Sequence, residues 1–223
     1  MRARKKKWAP AELENNPLII KSDAAQAIDL KRHFGNSQPI HMEIGCGKGR
    51  FITECARRNP DINFIAVERE SAILAAAARR AAQLARESPL SVAFLLLDVN
   101  ELARCIPPGA ISRLYINFCD PWPNKKKWAK RRLTHTNFLQ TYEALRIPEL
   151  HFKTDNRLLF EFSIESLSQN RWQMHNVSLD LHANPDENNI VTEYEEKFSP
   201  FGPIYRLEAS PPGLINPPIP SKI

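Results

Sequence analysis

The sequence lacks any apolar run long enough to cross a membrane, and its longest apolar stretches have the length of a strand. Its four cysteines are scattered, with no C-x-x-C pair and no histidines at matching spacing. This pattern argues against a zinc site and a disulfide framework and is typical of a reducing cytoplasm. The basic N-terminus has no apolar segment behind it, so we expect no secretory signal and a cytoplasmic protein.

Glycine is also scarce, and three of the seven glycines fall together at Gly45, Gly47 and Gly49. The surrounding stretch, residues 40 to 68, runs from an apolar strand through a glycine turn and a helix into a second apolar strand. This order predicts the first βαβ unit of an open α/β sheet, where a nucleoside-bearing ligand lies across the strand ends. Because glycine has no Cβ, the turn can tighten and its backbone can approach the ligand.

The glycine spacing and two carboxylates indicate the kind of nucleoside. A dinucleotide site has the pattern G-x-G-x-x-G and offers N–H groups to a pyrophosphate, whereas this chain has G-x-G-x-G. Glu43, two residues before the first glycine, would repel a pyrophosphate and suit a cationic amino group. Glu68 ends the second strand, where it can accept the ribose hydroxyls. We therefore predict S-adenosylmethionine, and the alternative is a plain glycine turn of a doubly wound domain.

Positive charge is concentrated in two places. The formal net charge is +6, and basic residues crowd the start and the middle of the chain, at Arg2, Arg4, Lys5, Lys6, Lys7, Lys125, Lys126, Lys127, Lys130, Arg131 and Arg132. Two basic clusters in a protein that also binds a nucleoside favour a polyanionic partner, most simply nucleic acid. A solvated surface is the alternative for either cluster alone.

The pattern of apolar runs and turn residues predicts an α/β chain in three parts. Residues 1–37 are predicted to form a basic arm, 38–209 the domain, and 210–223 a proline-rich tail that we expect to be disordered. Trp8 is expected to pack the arm onto the domain, and stacking on a base is its alternative role. Strands are predicted at residues 39–44, 62–67, 92–97, 114–118, 150–153, 172–181 and 204–208. Residues 190–196 are predicted to be a polar loop, and helices are predicted at residues 22–34, 50–59, 71–86, 134–145 and 158–167.

Two further carboxylates follow predicted strands. Asp98 can accept from an adenine amino group while Val99 packs against the ring, and capping the next helix is its alternative role. Asp120 follows the fourth strand in a loop that two prolines stiffen. A stiff loop at this strand end is where a substrate should meet the cofactor. Trp122 would line that pocket or stack on a base, and the basic residues behind it, Arg132 included, would bind phosphates.

Four motifs then carry a resemblance, namely EIGCGKGRF, NFCDPWPNKKKWAKRRLT, LHFKTDN and TEYEEKF. In this order and spacing they resemble the bacterial tRNA (guanine-N7-)-methyltransferase family from residue 1 to about residue 208, and DPWP followed by KRRL is the most specific part. The resemblance implies an α/β, seven-stranded, S-adenosylmethionine-dependent (Rossmann-like, class I) methyltransferase fold, with residues 38–209 as its domain. It also implies methyl transfer to N7 of a guanine in the variable loop of tRNA.

The resemblance extends to individual residues. It implies Asp120 at the reaction centre and cofactor contacts from Glu43, Gly45, Gly47, Glu68, Asp98 and Asp120. It implies substrate contacts from Lys125, Asp155, Thr192, Glu193, Tyr194 and Glu195. The chain departs from the family at Asn124, which stands where a lysine usually follows DPWP, so Lys125 takes that role. Guanine N7 carries a lone pair and no proton, and we therefore expect Asp120 to orient the reactants rather than to abstract a proton.

The expected partner is tRNA, with no metal and no membrane, and the protein is expected to be a monomer or a homodimer. Two alternatives differ in class. One is an S-adenosylmethionine-dependent enzyme that acts on another RNA, a protein or a small molecule. The other is a non-catalytic RNA-binding protein with a vestigial cofactor fold, which is disfavoured by the joint retention of Glu43, Glu68, Asp98, Asp120 and Asp155. A nicotinamide dehydrogenase is disfavoured by Glu43 and by the glycine spacing.

Overall fold

The computed structural model describes residues 6–21, 27–123, 125–184 and 186–213. Several sequence predictions lie outside these residues: the charges at positions 2, 4 and 5, the first part of the predicted helix at 22–34, Asn124, and the tail from residue 214. The division into arm, domain and tail stays a prediction.

The described residues form one seven-stranded sheet with the strand order β3-β2-β1-β4-β5-β7-β6. Its strands are β1 Ile40–Ile44, β2 Asn63–Glu68, β3 Val92–Leu96, β4 Arg113–Asn117, β5 Leu150–Thr154, β6 Gln173–Ser178 and β7 Tyr205–Ser210. The first five are parallel, and β7 runs antiparallel to both β5 and β6. The seven predicted strands are thereby confirmed.

The strand order places a crevice at the carboxyl ends of β1 and β4. The chain winds outward from β1 through β2 to β3, then returns to pair β4 with the other side of β1. At such a switch point the loops after the two central strands diverge, and this opening is where open α/β sheets bind their ligands. The glycine loop after β1 and the Asp120 loop after β4 therefore face the same crevice.

Helices connect the strands and cover the sheet, and they are α1 Ala9–Asn15, α2 Leu30–Phe34, α3 Arg50–Arg58, α4 Ser71–Leu84, α5 Leu102–Cys105, α6 Lys126–Ala129, α7 Thr136–Ala144, α8 Arg157–Gln169 and α9 Glu193–Phe198. The predicted polar loop at 190–196 is wrong, because α9 begins inside it. Within the described residues, no helix combines the length and apolar character that a membrane crossing requires.

The core consists of two apolar layers, one on each side of the sheet. The central parallel strands are buried along nearly their whole length, as is usual when helices cover both faces. Met42 and Ile65 belong to one layer, whereas Phe64 and Phe94 belong to the other. This packing gives the strand ends a rigid frame from which the loops of the crevice extend.

Residues 6–21 pack against the domain at the β3 edge of the sheet. The backbone of Phe94 accepts from the N–H of Ile20 at 2.9 Å and donates to the carbonyl of Leu18 at 2.7 Å. The guanidinium of Arg79 on α4 lies 4.1 Å from the ring centroid of Trp8. Trp8 thus packs this segment onto the domain, as predicted, and the segment covers backbone groups that an edge strand would otherwise expose.

Candidate active site

The loop after β1 is shaped by three left-handed glycines. Gly45, Gly47 and Gly49 have φ angles of +75°, +54° and +75°, a region that side chains rarely allow. A Cβ on Gly49 would lie 3.0 Å from the Cβ of Ala77 on α4, so this glycine also permits close packing. A Cβ added at Gly45 or Gly47 would meet no described atom within 4 Å. The loop therefore presents bare backbone to open space.

Glu43, at the end of β1, is a buried carboxylate with an unused oxygen. It is 2% exposed, and its Oε1 accepts a hydrogen bond from Asn117 Nδ2 at 2.9 Å. Its Oε2 has no hydrogen-bond partner among the described residues. Burial raises the pKa of Glu43 to about 7, although Asn117 and the Lys153 ammonium act in the opposite direction. An unpaired buried carboxylate oxygen is costly and is compensated by a cationic partner.

Glu68, at the end of β2, is held against the glycine loop. Its Oε2 accepts from the backbone N–H of Gly47 at 3.3 Å, and its Oε1 accepts from the backbone N–H groups of Arg69 and Glu70 at 2.8 and 3.0 Å. These bonds fix the carboxylate beside the open side of the loop. The side chain is partly exposed, so the fixed group remains accessible to a ligand.

Asp98 follows β3 and is exposed. Its Oδ1 accepts from both the backbone N–H and the side-chain Nδ2 of Asn100, at 2.9 and 2.6 Å, and it caps a short 3₁₀ turn at Val99–Glu101. The capping role that we gave as the alternative is therefore present. The carboxylate also lies at the same edge of the sheet as Glu68, since β2 and β3 are paired in parallel.

The loop after β4 holds Asp120 in an exposed position between two strained residues. Phe118 and Trp122 have φ angles of +51° and +45°, which cost free energy for bulky side chains and often mark functional loops. Arg132 donates from Nε to the carbonyl of Pro121 at 2.8 Å and from Nη2 to the carbonyl of Trp122 at 2.9 Å. The loop is thus held in one conformation around Asp120.

Arg132 is 2% exposed, and both of the hydrogen bonds described above point inward. This arrangement differs from the prediction that Arg132 binds a phosphate. Lys125, Lys130 and Arg131 are exposed and keep the predicted accessibility. Because Asn124 lies outside the described residues, the register of this segment against the family's lysine stays a prediction.

A buried ion pair ties α9 and the segment before it to β5. Lys153 Nζ donates to Glu195 Oε2 at 2.7 Å and to the carbonyl of Ile190 at 3.1 Å. Thr192 and Glu195 form a capping box at the start of α9, in which each side chain bonds to the backbone N–H of the other residue. Burial alone would raise the pKa of Glu195, but the Lys153 ammonium and the hydrogen bonds outweigh burial and lower it.

Glu195 is 0% exposed, and both of its oxygens are already used. Oε1 accepts from Asn189 Nδ2 at 2.9 Å and lies 3.1 Å from His182 Nε2, while Oε2 binds Lys153. Thr192 is buried as well, and its hydroxyl caps α9. This geometry disfavours the predicted direct contact of these two side chains with a guanine and gives them a supporting role.

Tyr194 and Asp155, which are both predicted to contact the substrate, lie next to each other. The Tyr194 hydroxyl donates to Asp155 Oδ2 at 3.1 Å. The Tyr194 ring centroid lies 5.0 Å from that of Phe118 and 4.2 Å from that of Phe198. Tyr194 is 42% exposed. The end of β5, the start of α9 and the Asp120 loop therefore meet at one aromatic surface.

The other side of α9 contacts the cofactor side of the crevice. Glu193 forms ion pairs with Arg80 on α4 at 2.5 Å and with Lys48 of the glycine loop at 3.7 Å. Glu196 pairs with Arg50 at the start of α3. These contacts place α9 beside the glycine loop, so the predicted substrate residues on α9 adjoin the predicted cofactor site.

The sequence did not indicate Asn117 or Lys153 as parts of the site, and it indicated Arg132 only as a phosphate ligand. The sequence around Lys153 did offer an indication, because a charged residue in an otherwise buried strand needs a partner. Asn117 carried no such indication, because only the fold brings it to Glu43. For the same reason the sequence did not predict that Arg132 binds two carbonyl groups of the Asp120 loop.

One group of potential metal ligands occurs in the described chain, away from the crevice. Donor atoms of Glu149, His175 and Glu208 lie within 4.8 Å of one another. Both carboxylates already bind arginines, Glu149 with Arg113 at 2.7 Å and Glu208 with Arg206 at 2.5 Å. The group is accounted for as an ion-pair network on the face of the sheet.

Solved structures with the same fold are methyltransferases. The 16S rRNA methyltransferase KamB aligns with a TM-score of 0.60 and 12% identity over 83% of this chain and 94% of its own. A mutant 16S rRNA (adenine(1408)-N(1))-methyltransferase from Catenulisporales acidiphilia, solved with its cosubstrate SAM, aligns with a TM-score of 0.56 and 15% identity over 89% and 98%. At this identity the likeness concerns the fold, and the class I methyltransferase fold is confirmed.

Sequence comparison is more specific. A family model described as "putative methyltransferase" matches residues 37–206. The tRNA (guanine-N(7)-)-methyltransferase of Lysinibacillus sphaericus (strain C3-41) is 45% identical over 216 residues, covering 94% of this chain and 97% of the relative. The protein of that name from Streptococcus mutans serotype c is 47% identical over 219 residues, covering 94% and 99%. The chain belongs to the bacterial tRNA (guanine-N7-)-methyltransferase family.

Proposed function

We propose that this protein transfers the methyl group of S-adenosylmethionine to N7 of a guanine in the variable loop of tRNA. The observation that carries this proposal is the unpaired, buried oxygen of Glu43 beside the open glycine loop. It lies in the same crevice as the exposed Asp120 loop. Relatives of 45% and 47% identity that bear this activity in their names support the choice of substrate.

The residues on the cofactor side fit S-adenosylmethionine, which would supply a methyl group on a positively charged sulfur. Glu43 Oε2 would pair with the ammonium, which resolves the cost of leaving that oxygen unpaired. Glu68 would accept the ribose hydroxyls and Asp98 the adenine amino group. The bare backbone at Gly45 and Gly47 leaves room for close approach.

The chemistry asks the protein chiefly for alignment and charge placement. Guanine N7 attacks with a lone pair and loses no proton, so no general base is required. Holding the two reactants in line supplies on the order of 7–11 kcal/mol of the barrier. The methylated ring gains a positive charge, which the carboxylates of Asp120 and Asp155 would stabilise. The strained, clamped loop keeps Asp120 in position before the substrate arrives.

On the substrate side, we assign contact with the guanine to Tyr194, Asp155 and Glu193, whose side chains reach the surface of the crevice. Thr192 and Glu195 hold the start of α9 so that Tyr194 stays against the Asp120 loop. The exposed basic residues after that loop, Lys125 among them, would bind tRNA phosphates. The acting species is a monomer or a homodimer.

The proposal is tested by methyl transfer from labelled S-adenosylmethionine to an unmodified tRNA transcript. A parallel transcript contains 7-deazaguanine in place of guanine, which removes the acceptor nitrogen and keeps the Watson–Crick edge. We expect label in the first transcript and none in the second. Equal labelling of both transcripts, or no labelling of either while the cofactor binds, would overturn the proposal.

A further inference from the structure

Two partly exposed tryptophans and an exposed arginine form a stack directly behind the Asp120 loop. The indole rings of Trp122 and Trp128 are parallel within 5°, with centroids 5.5 Å apart. The guanidinium of Arg131 lies 4.8 Å from the first ring centroid and 4.7 Å from the second. The ammonium of Lys127 lies 5.3 Å from the Trp128 ring. We call Trp122, Trp128 and Arg131 the indole platform.

The indole platform is not needed to hold the loop. Arg132 already fixes the backbone on both sides of Trp122 through two hydrogen bonds. Both indoles remain partly exposed, and Arg131 is exposed, so they add little to the core. Trp122 also takes up a left-handed φ of +45°. Strain of this kind persists where the presentation of a side chain has a use.

The chemistry of the indole platform suits a nucleic-acid base. Unpaired bases stack on aromatic rings and on arginine planes, and each such contact contributes about 1–3 kcal/mol. The positive charge beside the rings complements the phosphates that flank every base. A peptide or a lipid surface would not require a planar stack with a guanidinium over it.

We infer that the indole platform stacks one unpaired base of the RNA substrate next to the methylated guanine. Trp122 is two residues from Asp120, so a base on the platform lies close to the reacting base. An RNA loop offers bases that are already unstacked, whereas a duplex does not. The platform would therefore select a guanine within a loop. This inference rests on the proposed function, because it takes tRNA to be the substrate.

A fluorescence experiment on the unaltered protein gives the most direct test. The tRNA transcript carries 2-aminopurine at one unpaired position of the variable loop at a time. Stacking on an indole quenches this base, so we expect binding to quench the signal at one position next to the target guanine. Absence of additional quenching at every unpaired position would overturn the inference.

Variants separate stacking from charge. For Trp128→Leu we expect tRNA binding to be weaker by about tenfold, or ~1.4 kcal/mol, with an unchanged salt slope. Trp128→Phe, which keeps an aromatic face, should recover most of the affinity. This conservative variant is the matched control, because it differs from Trp128→Leu in its aromatic face and changes no charge.

The outcomes distinguish this inference from the proposed function. If the wild-type protein methylates tRNA and Trp128→Leu binds it with unchanged affinity, the indole platform is not a base-binding site and the proposed function stands. If the wild-type protein does not methylate tRNA, the proposed function is wrong, and the inference about the indole platform falls with it. Cofactor titration of each variant verifies the fold, because the cofactor contacts do not include the platform.

Discussion

The two halves of the crevice are built in different ways. On the cofactor side, Glu43 and Glu68 lie in the last residues of parallel strands and Asp98 follows one. All three are held mainly by neighbours in sequence or by the adjacent strand. On the substrate side, Tyr194 depends on an ion pair between Lys153 and Glu195, which are 42 residues apart. The cofactor half is therefore positioned by strand ends, whereas the substrate half depends on one buried long-range contact.

The largest expected effect is that of Lys153→Met. It leaves the Glu195 carboxylate buried without its cation, which we expect to lower the free energy of unfolding by about 3–5 kcal/mol. Denaturant titration measures this change. The matched control is the double variant Lys153→Met/Glu195→Leu, which removes both charges and should recover much of the loss. A cost below about 1 kcal/mol for the single variant would show that the pair does not hold α9.

Asp120→Asn should affect the rate more than binding. The amide keeps the shape of the loop and removes the charge that stabilises the methylated ring, so we expect turnover to fall by about 10²–10³-fold. Single-turnover rates at saturating cofactor and tRNA measure this, together with the cofactor Kd. Unchanged turnover with unchanged cofactor affinity would contradict the role given to Asp120.

Glu43 predicts a pH dependence on the cofactor side. Burial raises its pKa from 4.5 to about 7, so the folded protein holds this proton more tightly than the unfolded chain. Without cofactor, the contribution of Glu43 to the free energy of unfolding should therefore be largest below pH 4.5. It should fall, by on the order of 3 kcal/mol, as the pH rises through about 7.

Cofactor affinity should change in the opposite sense, because only the ionised carboxylate pairs with an ammonium. Cofactor titrations from pH 6 to pH 8, a window of about one unit on each side of the pKa, should show affinity rising in the wild type. In Glu43→Gln the cofactor affinity should be weaker and should not change with pH over this window. The charged groups acting on Glu43 are Lys153 and Glu68. A wild-type profile as flat as that of the variant would contradict this assignment.

The smallest expected effect concerns phosphate contacts. Lys130→Ala should lower the slope of log Kobs against log salt for tRNA by about 0.7–0.9, the value for one lost contact. Arg104→Ala removes an exposed charge on another surface and should leave the slope unchanged. Arg132→Ala should remove the two hydrogen bonds that hold the Asp120 loop. It should not lower the salt slope, because the Arg132 guanidinium is buried. A lower slope for Arg132→Ala would show that Arg132 does contact a phosphate.

The same division explains what the sequence could predict. The strands and the carboxylates after them were predictable, because a buried apolar run that stops at an acidic residue has a simple physical meaning. Helix α9 was missed because the segment from Thr192 to Phe198 is polar and short. Its capping box, Thr192 with Glu195 three residues later, was nevertheless present in the sequence and indicates a helix start.

Other features were not accessible from the sequence. The left-handed backbone at Phe118 and Trp122 runs against the preference of bulky residues, so only the folded loop and its Arg132 clamp reveal it. The stack of Trp122 on Trp128 depends on the path of the chain between them. The partner of Lys153 lies on an element that the sequence did not predict.

Identification of the methylated nucleoside tests the proposed function most directly. Wild-type protein, S-adenosylmethionine and unmodified tRNA transcript are incubated, the RNA is digested to nucleosides, and the methylated nucleosides are separated by mass spectrometry. We expect 7-methylguanosine as the product, formed in the variable loop. Formation of 1-methyladenosine, the product type of the adenine methyltransferases that share this fold, or of a guanosine methylated elsewhere, would contradict it.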